Sequence, residues 1–100
     1  MKYNKLIRDH IPAIIIAKGG QPKTHVASQE EYAIKLKEKL SEEVREYLQE
    51  GNIEELADVM EVVHALAELG GVDAKRIEEI RQAKAGERGG FTKHLILDES

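Results

Sequence analysis

The chain has no cysteine and no tryptophan, and only two prolines in 100 residues. Without cysteine there is neither a disulfide framework nor a thiol nucleophile. Aromatic residues make up 4% against 41% hydrophobic residues overall, so any core must be aliphatic. Apolar runs are short: the strongest, Ile11 to Ala17 (IPAIIIA), falls well below the ~20 residues that a bilayer demands and follows a charged start. No membrane partner is expected, and the default location is the cytoplasm. Basic excess is also missing. Fifteen Lys and Arg stand against nineteen Asp and Glu, a net charge of −4, which argues against a nucleic-acid polymer as partner. It leaves single nucleotides open, because a metal can carry their charge. The four histidines show no i, i+4 pair of the kind zinc sites use.

What is present is helical punctuation. The length fits one domain, residues 1–100. Lys2, Lys5 and Arg8 alternate with apolar groups at the start; on spacing alone these cations are solvated or paired with nearby acids. Asp9 is expected to cap a short helix with Pro12 in its first turn, running to Lys18 before Gly19-Gly20. Ser28 with Glu31 forms a capping-box pattern that opens a helix to about Gln49. Lys35, Lys37 and Lys39 are expected on its outer face. Asn52 caps a third helix, Ile53 to Leu69, and Asp73 a fourth, ending near Gly86 with Ile77 and Ile80 facing the core. The predicted fold class is all-α, an antiparallel bundle of about four helices. Residues near 23–27 and 93–97 are expected to add a minor two-stranded β element.

The densest chemistry lies on either side of Gly51. Glu43 and Glu46 precede it and Glu55 and Asp58 follow it, each pair spaced i, i+3. If the chain folds back at Gly51, the rise of ~1.5 Å per residue puts Glu46 and Glu55 roughly 7 Å from the turn and Glu43 and Asp58 roughly 11 Å from it. On a helical wheel with Leu36 at zero, Glu43 falls at about −20°, within the apolar stripe, and Glu46 at about −80°, at its edge. On the third helix Asp58 and Glu55 flank Val62 on the apolar arc, while Glu54, Glu61 and Glu68 gather on the solvated side. Four inward carboxylates repel and lose hydration. The third helix offers no Lys or Arg to offset them, which leaves protonation or a bound cation. Oxygen ligands at this density favour Mg²⁺, with Mn²⁺ as a substitute, over Zn²⁺. A plainer reading stands beside this one: Glu55 at N3 completes a capping box with Asn52, and Glu43 and Glu46 are surface acids.

Glu42-Glu43-Val44-Arg45-Glu46 (E-E-x-x-E) followed by Glu55-Leu56-Ala57-Asp58 (E-x-x-D) resembles the signature of the MazG-type all-α nucleoside triphosphate pyrophosphohydrolases. NKLIRDHIP, KLSEEVREYL, EELADVMEVVHAL and ERGGF, in order over most of the chain, are similar to the small phosphoribosyl-ATP-pyrophosphohydrolase-like branch credited with clearing noncanonical nucleotides. Only eight residues separate Glu46 from Glu55, fewer than is usual in that superfamily, so a longer loop that might meet substrate is missing. The resemblance implies a Mg²⁺-dependent enzyme that hydrolyses nucleoside triphosphates to monophosphate and pyrophosphate. Glu43, Glu46, Glu55 and Asp58 would hold metal, and Glu42 would orient the attacking water. Lys5, Arg8, Lys84 and Arg88 would bind phosphates. Gly90 would let substrate approach the backbone, and Phe91 would stack on a base or anchor the tail; on spacing alone that segment is equally a flexible exit. Alternatives are phosphoribosyl-ATP pyrophosphohydrolase itself, or a non-catalytic helical interaction module. The third helix is apolar around most of its circumference, so a homodimer or dimer of dimers is expected.

Overall fold

Side-chain oxygens mark the start of three helices, each by accepting from a backbone amide near the helix N-terminus. The computed structural model describes residues 2–100 and contains α1 (Ile11–Ala17), α2 (Gln29–Glu50), α3 (Ile53–Leu69) and α4 (Ala74–Arg88). Ser28 Oγ accepts from the Glu31 amide at 3.2 Å to open α2. Asp73 Oδ1 accepts from the Arg76 amide at 2.8 Å to open α4. At α3 the reciprocal bond is made: Glu55 Oε1 accepts from the Asn52 amide at 3.3 Å. The corresponding return bond at Ser28 is absent, because the Glu31 carboxylate faces His25, whose Nε2 lies 3.0 and 3.1 Å from its two oxygens. The first helix begins one residue later than expected. Its N-cap is His10 rather than Asp9, without a side-chain bond, and it is only seven residues long.

Gly51 ends α2 with φ 72° and ψ 16°. That left-handed conformation is open to glycine and costly for residues with a Cβ. Gly51 and Asn52 alone then reverse the chain, so α2 and α3 pack as an antiparallel hairpin. α4 folds against α3 over a smaller area, and α1 packs on no other helix.

The core is thin. Leu36, 1% exposed, and Val62, 7% exposed, are the only buried hydrophobic residues among those described. The radius of gyration is 17.5 Å, against ~13 Å for a compact domain of this length. Ile34, Leu48, Ile53 and Met60 are exposed on the hairpin, so it carries apolar surface that no other described residue covers. No described helix is long and apolar enough to cross a membrane.

Two expectations fail. Among the described residues there is no strand, so segments 23–27 and 93–97 do not pair. Val26, Leu95, Ile96 and Leu97 stay exposed. A lone two-stranded ribbon has no face to bury and is marginal in water. The fourth helix also continues through Gly86 to Arg88. One internal glycine costs about 1 kcal/mol and does not stop a helix; Gly89, at φ 83°, does.

Candidate metal centre

Two of the four buried residues among those described are glutamates. Glu43 is 7% exposed and Glu55 8%. Carboxylates are almost never found at that depth unless paired, so their partners decide what the site is. The wheel argument holds for Glu43, which sits inside the apolar stripe beside Leu36, and for Glu46 at the half-buried edge. Val44, near 80° on the same wheel, is exposed.

The hairpin brings the acids of α2 and α3 into one electrostatic field. Glu46 is pushed above the ordinary carboxylate range, chiefly by the charge of Glu43. Burial adds to this, as do Glu42, a side-chain hydrogen bond with Glu43, and Glu55 from across the turn. Like charges and burial both favour the neutral acid. Glu46 therefore feels acids on both helices.

The chain supplies more compensation than the third helix alone promised. Lys39 is not on an outer face. It is largely buried, with Nζ 3.3 Å from Glu43 Oε1 and 3.5 Å from Glu42 Oε2. The N-terminal segment brings two further cations: Lys5 Nζ lies 3.5 Å from Glu42 Oε1, and Arg8 Nη2 donates to Asp58 Oδ1 at 2.7 Å. Lys35 Nζ, also largely buried, holds the same segment by donating to the Asn4 carbonyl at 2.9 Å. Protonation and a bound cation are thus not the only remedies for the acidic cluster, because part of it is neutralised from within. Lys5 and Arg8 stand in ion pairs with these acids, the arrangement that spacing alone favoured. Sequence reasoning missed Lys39 and Lys35 as site residues. The signal was available, since Lys39 precedes Glu43 by four positions, the separation at which helical side chains meet.

Three of the four expected metal ligands are turned to an in-chain partner. Glu55 caps Asn52, Glu43 meets Lys39, and Asp58 meets Arg8. Accordingly, no three His, Cys, Asp or Glu side chains among the described residues are drawn together at ligating positions. The donor chemistry still fits a hard cation. Glu42, Glu43, Glu46, Glu55 and Asp58 supply only carboxylate oxygen, which suits Mg²⁺ or Mn²⁺, and Glu46 lacks a cationic partner among the described contacts.

The other expected substrate residues are not gathered here. Lys84 and Arg88 are exposed on α4, which packs on α3 and not on α2. Gly90 and Phe91 are exposed beyond it, Phe91 at 95%. Among the described residues, nothing within a single chain brings these four to the carboxylates. No protein-family model matches the chain, and no curated protein or solved structure matches it significantly.

Proposed function

We propose that the chain is a Mg²⁺-dependent nucleoside triphosphate pyrophosphohydrolase of the MazG type, acting on noncanonical nucleotides in the cytoplasm. The observation that carries this reading is the burial of Glu43 on α2 and Glu55 on α3, on the two packed helices of the hairpin, with Glu46 raised above the ordinary carboxylate range by their charges and that of Glu42. A divalent cation held there would relieve that repulsion. The order of the E-E-x-x-E and E-x-x-D motifs along the chain supports the same reading.

Glu43, Glu46, Glu55 and Asp58 would hold the metal. It would supply charge neutralisation at the nonbridging oxygens and a water of lowered pKa. Glu42 accepts the proton as water adds to phosphorus and the bond to the departing pyrophosphate breaks. Lys5 and Arg8 bind the phosphates, Arg8 through the planar fork of its guanidinium. Lys84, Arg88, Gly90 and Phe91 contribute to substrate binding only if a second copy delivers them, consistent with a homodimer or dimer of dimers covering the exposed faces of α2 and α3. The test is pyrophosphate release across a panel of canonical and modified triphosphates, with and without Mg²⁺. Absence of Mg²⁺-dependent release across that panel sinks the proposal. Phosphoribosyl-ATP belongs in the panel, since the histidine-pathway variant shares the acidic pattern.

Two observations favour a second reading. Glu55 makes the capping bond that a purely structural residue would make, and the hairpin exposes apolar surface, as a non-catalytic helical interaction module would. Such a module gains no thermal stability from Mg²⁺, whereas a metal-holding protein does by mass action.

A further inference from the structure

The basic N-terminal segment has no helix or strand of its own before α1, yet it is fixed at three points along the hairpin. Lys35 holds the Asn4 carbonyl, Lys5 meets Glu42, and Arg8 meets Asp58. Leu6 and Ile7, between the two cations, are half-buried. Asn4 takes a positive φ of 48°, a conformation that asparagine tolerates better than most residues. It marks the bend at the tether point.

The geometry points to a counter-ion strap: residues 2–8 and a divalent cation compete for the acidic cluster, Arg8 directly for the Asp58 carboxylate and Lys5, paired with Glu42 beside it, through charge repulsion. This rests on the metal-dependent reading above and extends it. The Arg8 guanidinium and a cation held by Asp58 both draw on one carboxylate, and their charges repel. The Arg8 side chain is 56% exposed and that of Asp58 40%, so the pair is screened by water and loosely held. Lys5, 46% exposed against Glu42, is held no more firmly. A divalent ion therefore dislodges these two contacts more readily than it dislodges Lys39, whose side chain is 18% exposed. Release leaves Lys5 and Arg8 beside the metal with unpaired positive charge, placed for the phosphates of a nucleotide. The strap thus exchanges protein carboxylates for substrate phosphates when the ion arrives.

The experiment is Mn²⁺ binding by calorimetry to the full chain and to Arg8→Gln and Lys5→Gln, paired with backbone ¹⁵N relaxation of residues 2–8 during a Mg²⁺ titration. Both substitutions are at exposed positions and leave the hairpin core intact. The expected result is roughly three- to tenfold tighter Mn²⁺ binding in Arg8→Gln, a smaller gain in Lys5→Gln, and increased mobility of residues 2–8 as Mg²⁺ saturates. Binding by Arg8→Gln but not by the native chain also supports the strap. Native Mn²⁺ binding with equal or weaker affinity in Arg8→Gln, or with residues 2–8 still rigid at saturation, overturns the strap and leaves the metal reading standing. No Mn²⁺ binding by any of the three proteins overturns both.

Discussion

Glu55 Oε1 lies 3.3 Å from the Asn52 amide, so the carboxylate that starts α3 is also one of those that perturb Glu46 across the turn. Its structural and chemical uses separate by substitution. Glutamine at N3 also completes a capping box, so Glu55→Gln is expected to melt close to the native protein in the absence of divalent ions. Glu55→Ala loses the bond and about 1 kcal/mol. Mg²⁺ at a hundredfold excess over its dissociation constant adds about 2.7 kcal/mol to the native fold, and neither variant is expected to share that gain. Thermal melts with and without Mg²⁺ read both effects. An undiminished Mg²⁺ shift in Glu55→Gln removes Glu55 from the ligand set.

Glu46 is expected to show the opposite pattern. Its charge is opposed by Glu43, Glu42 and Glu55, so Glu46→Gln relieves repulsion and raises the melting temperature when no divalent ion is present. With saturating Mg²⁺ the ranking reverses, because the native site is then stabilised and the variant is not. Two melting curves per protein decide it. A Glu46→Gln chain that is less stable than native without Mg²⁺ contradicts the electrostatic account.

The same residue sets a pH dependence. A carboxyl whose folded pKa is raised binds its proton more tightly in the native state than in the unfolded one. Its contribution to stability therefore grows as pH falls through the folded value and levels off below the unfolded value of 4.5. Native stability without divalent ions is expected to gain from Glu46 as pH drops from neutral toward that range. Mn²⁺ affinity is expected to weaken over the same interval, since a ligand must be deprotonated. Denaturant titrations at stepped pH on the native chain and Glu46→Gln isolate the contribution as the difference between the two profiles.

Much of the fold was legible because local rules agreed. Ser28, Asn52, Asp73 and Gly51 fix where helices start and stop, and the 3.6-residue pattern alone puts Glu43 in the buried stripe. The fourth helix ran past Gly86 because one glycine is a weak breaker when no left-handed residue is required there. The short strands were misread because alternation in 23–27 and 93–97 specifies a pleat but supplies no covering layer. The cations of the site were only half legible. Lys39 could have been placed by its i, i+4 spacing from Glu43, but the pairs of Lys5 with Glu42 and Arg8 with Asp58 are long-range, the second spanning 50 positions. No periodicity encodes where an irregular segment crosses a hairpin.

Leu36 is the most deeply buried side chain among those described, at 1% exposure, and it lies on the α2 face that also buries Glu43. Leu36→Ala is expected to cost roughly 2–5 kcal/mol by lost transfer energy and the cavity left behind. In so thin a core that loss takes a large share of a total stability of about 5–15 kcal/mol. Circular dichroism melts should show a sharply lowered midpoint and Mg²⁺ should recover part of it. A drop below about 1 kcal/mol would mean that the hairpin is held chiefly by contacts other than this leucine.

Surface substitutions test what completes the fold. Leu48 and Met60 are 75% and 58% exposed, and Leu48 with Val44 and Leu40 lines a shallow groove along α2. In an isolated chain, Leu48→Glu and Met60→Glu place a charge in water and shift stability by no more than about 0.5 kcal/mol. At a buried subunit interface the same charge is desolvated without a partner, at a cost of several kcal/mol. The extended shape, with its 17.5 Å radius of gyration, and the scarcity of buried apolar residues favour the second case. Light scattering coupled to size exclusion is expected to give a dimer or tetramer for the native chain and a smaller species with a lower melting temperature for the variants. Unchanged mass and melting in both variants would mean that these faces meet only solvent. Lys84, Arg88, Gly90 and Phe91 would then need another route to the carboxylates.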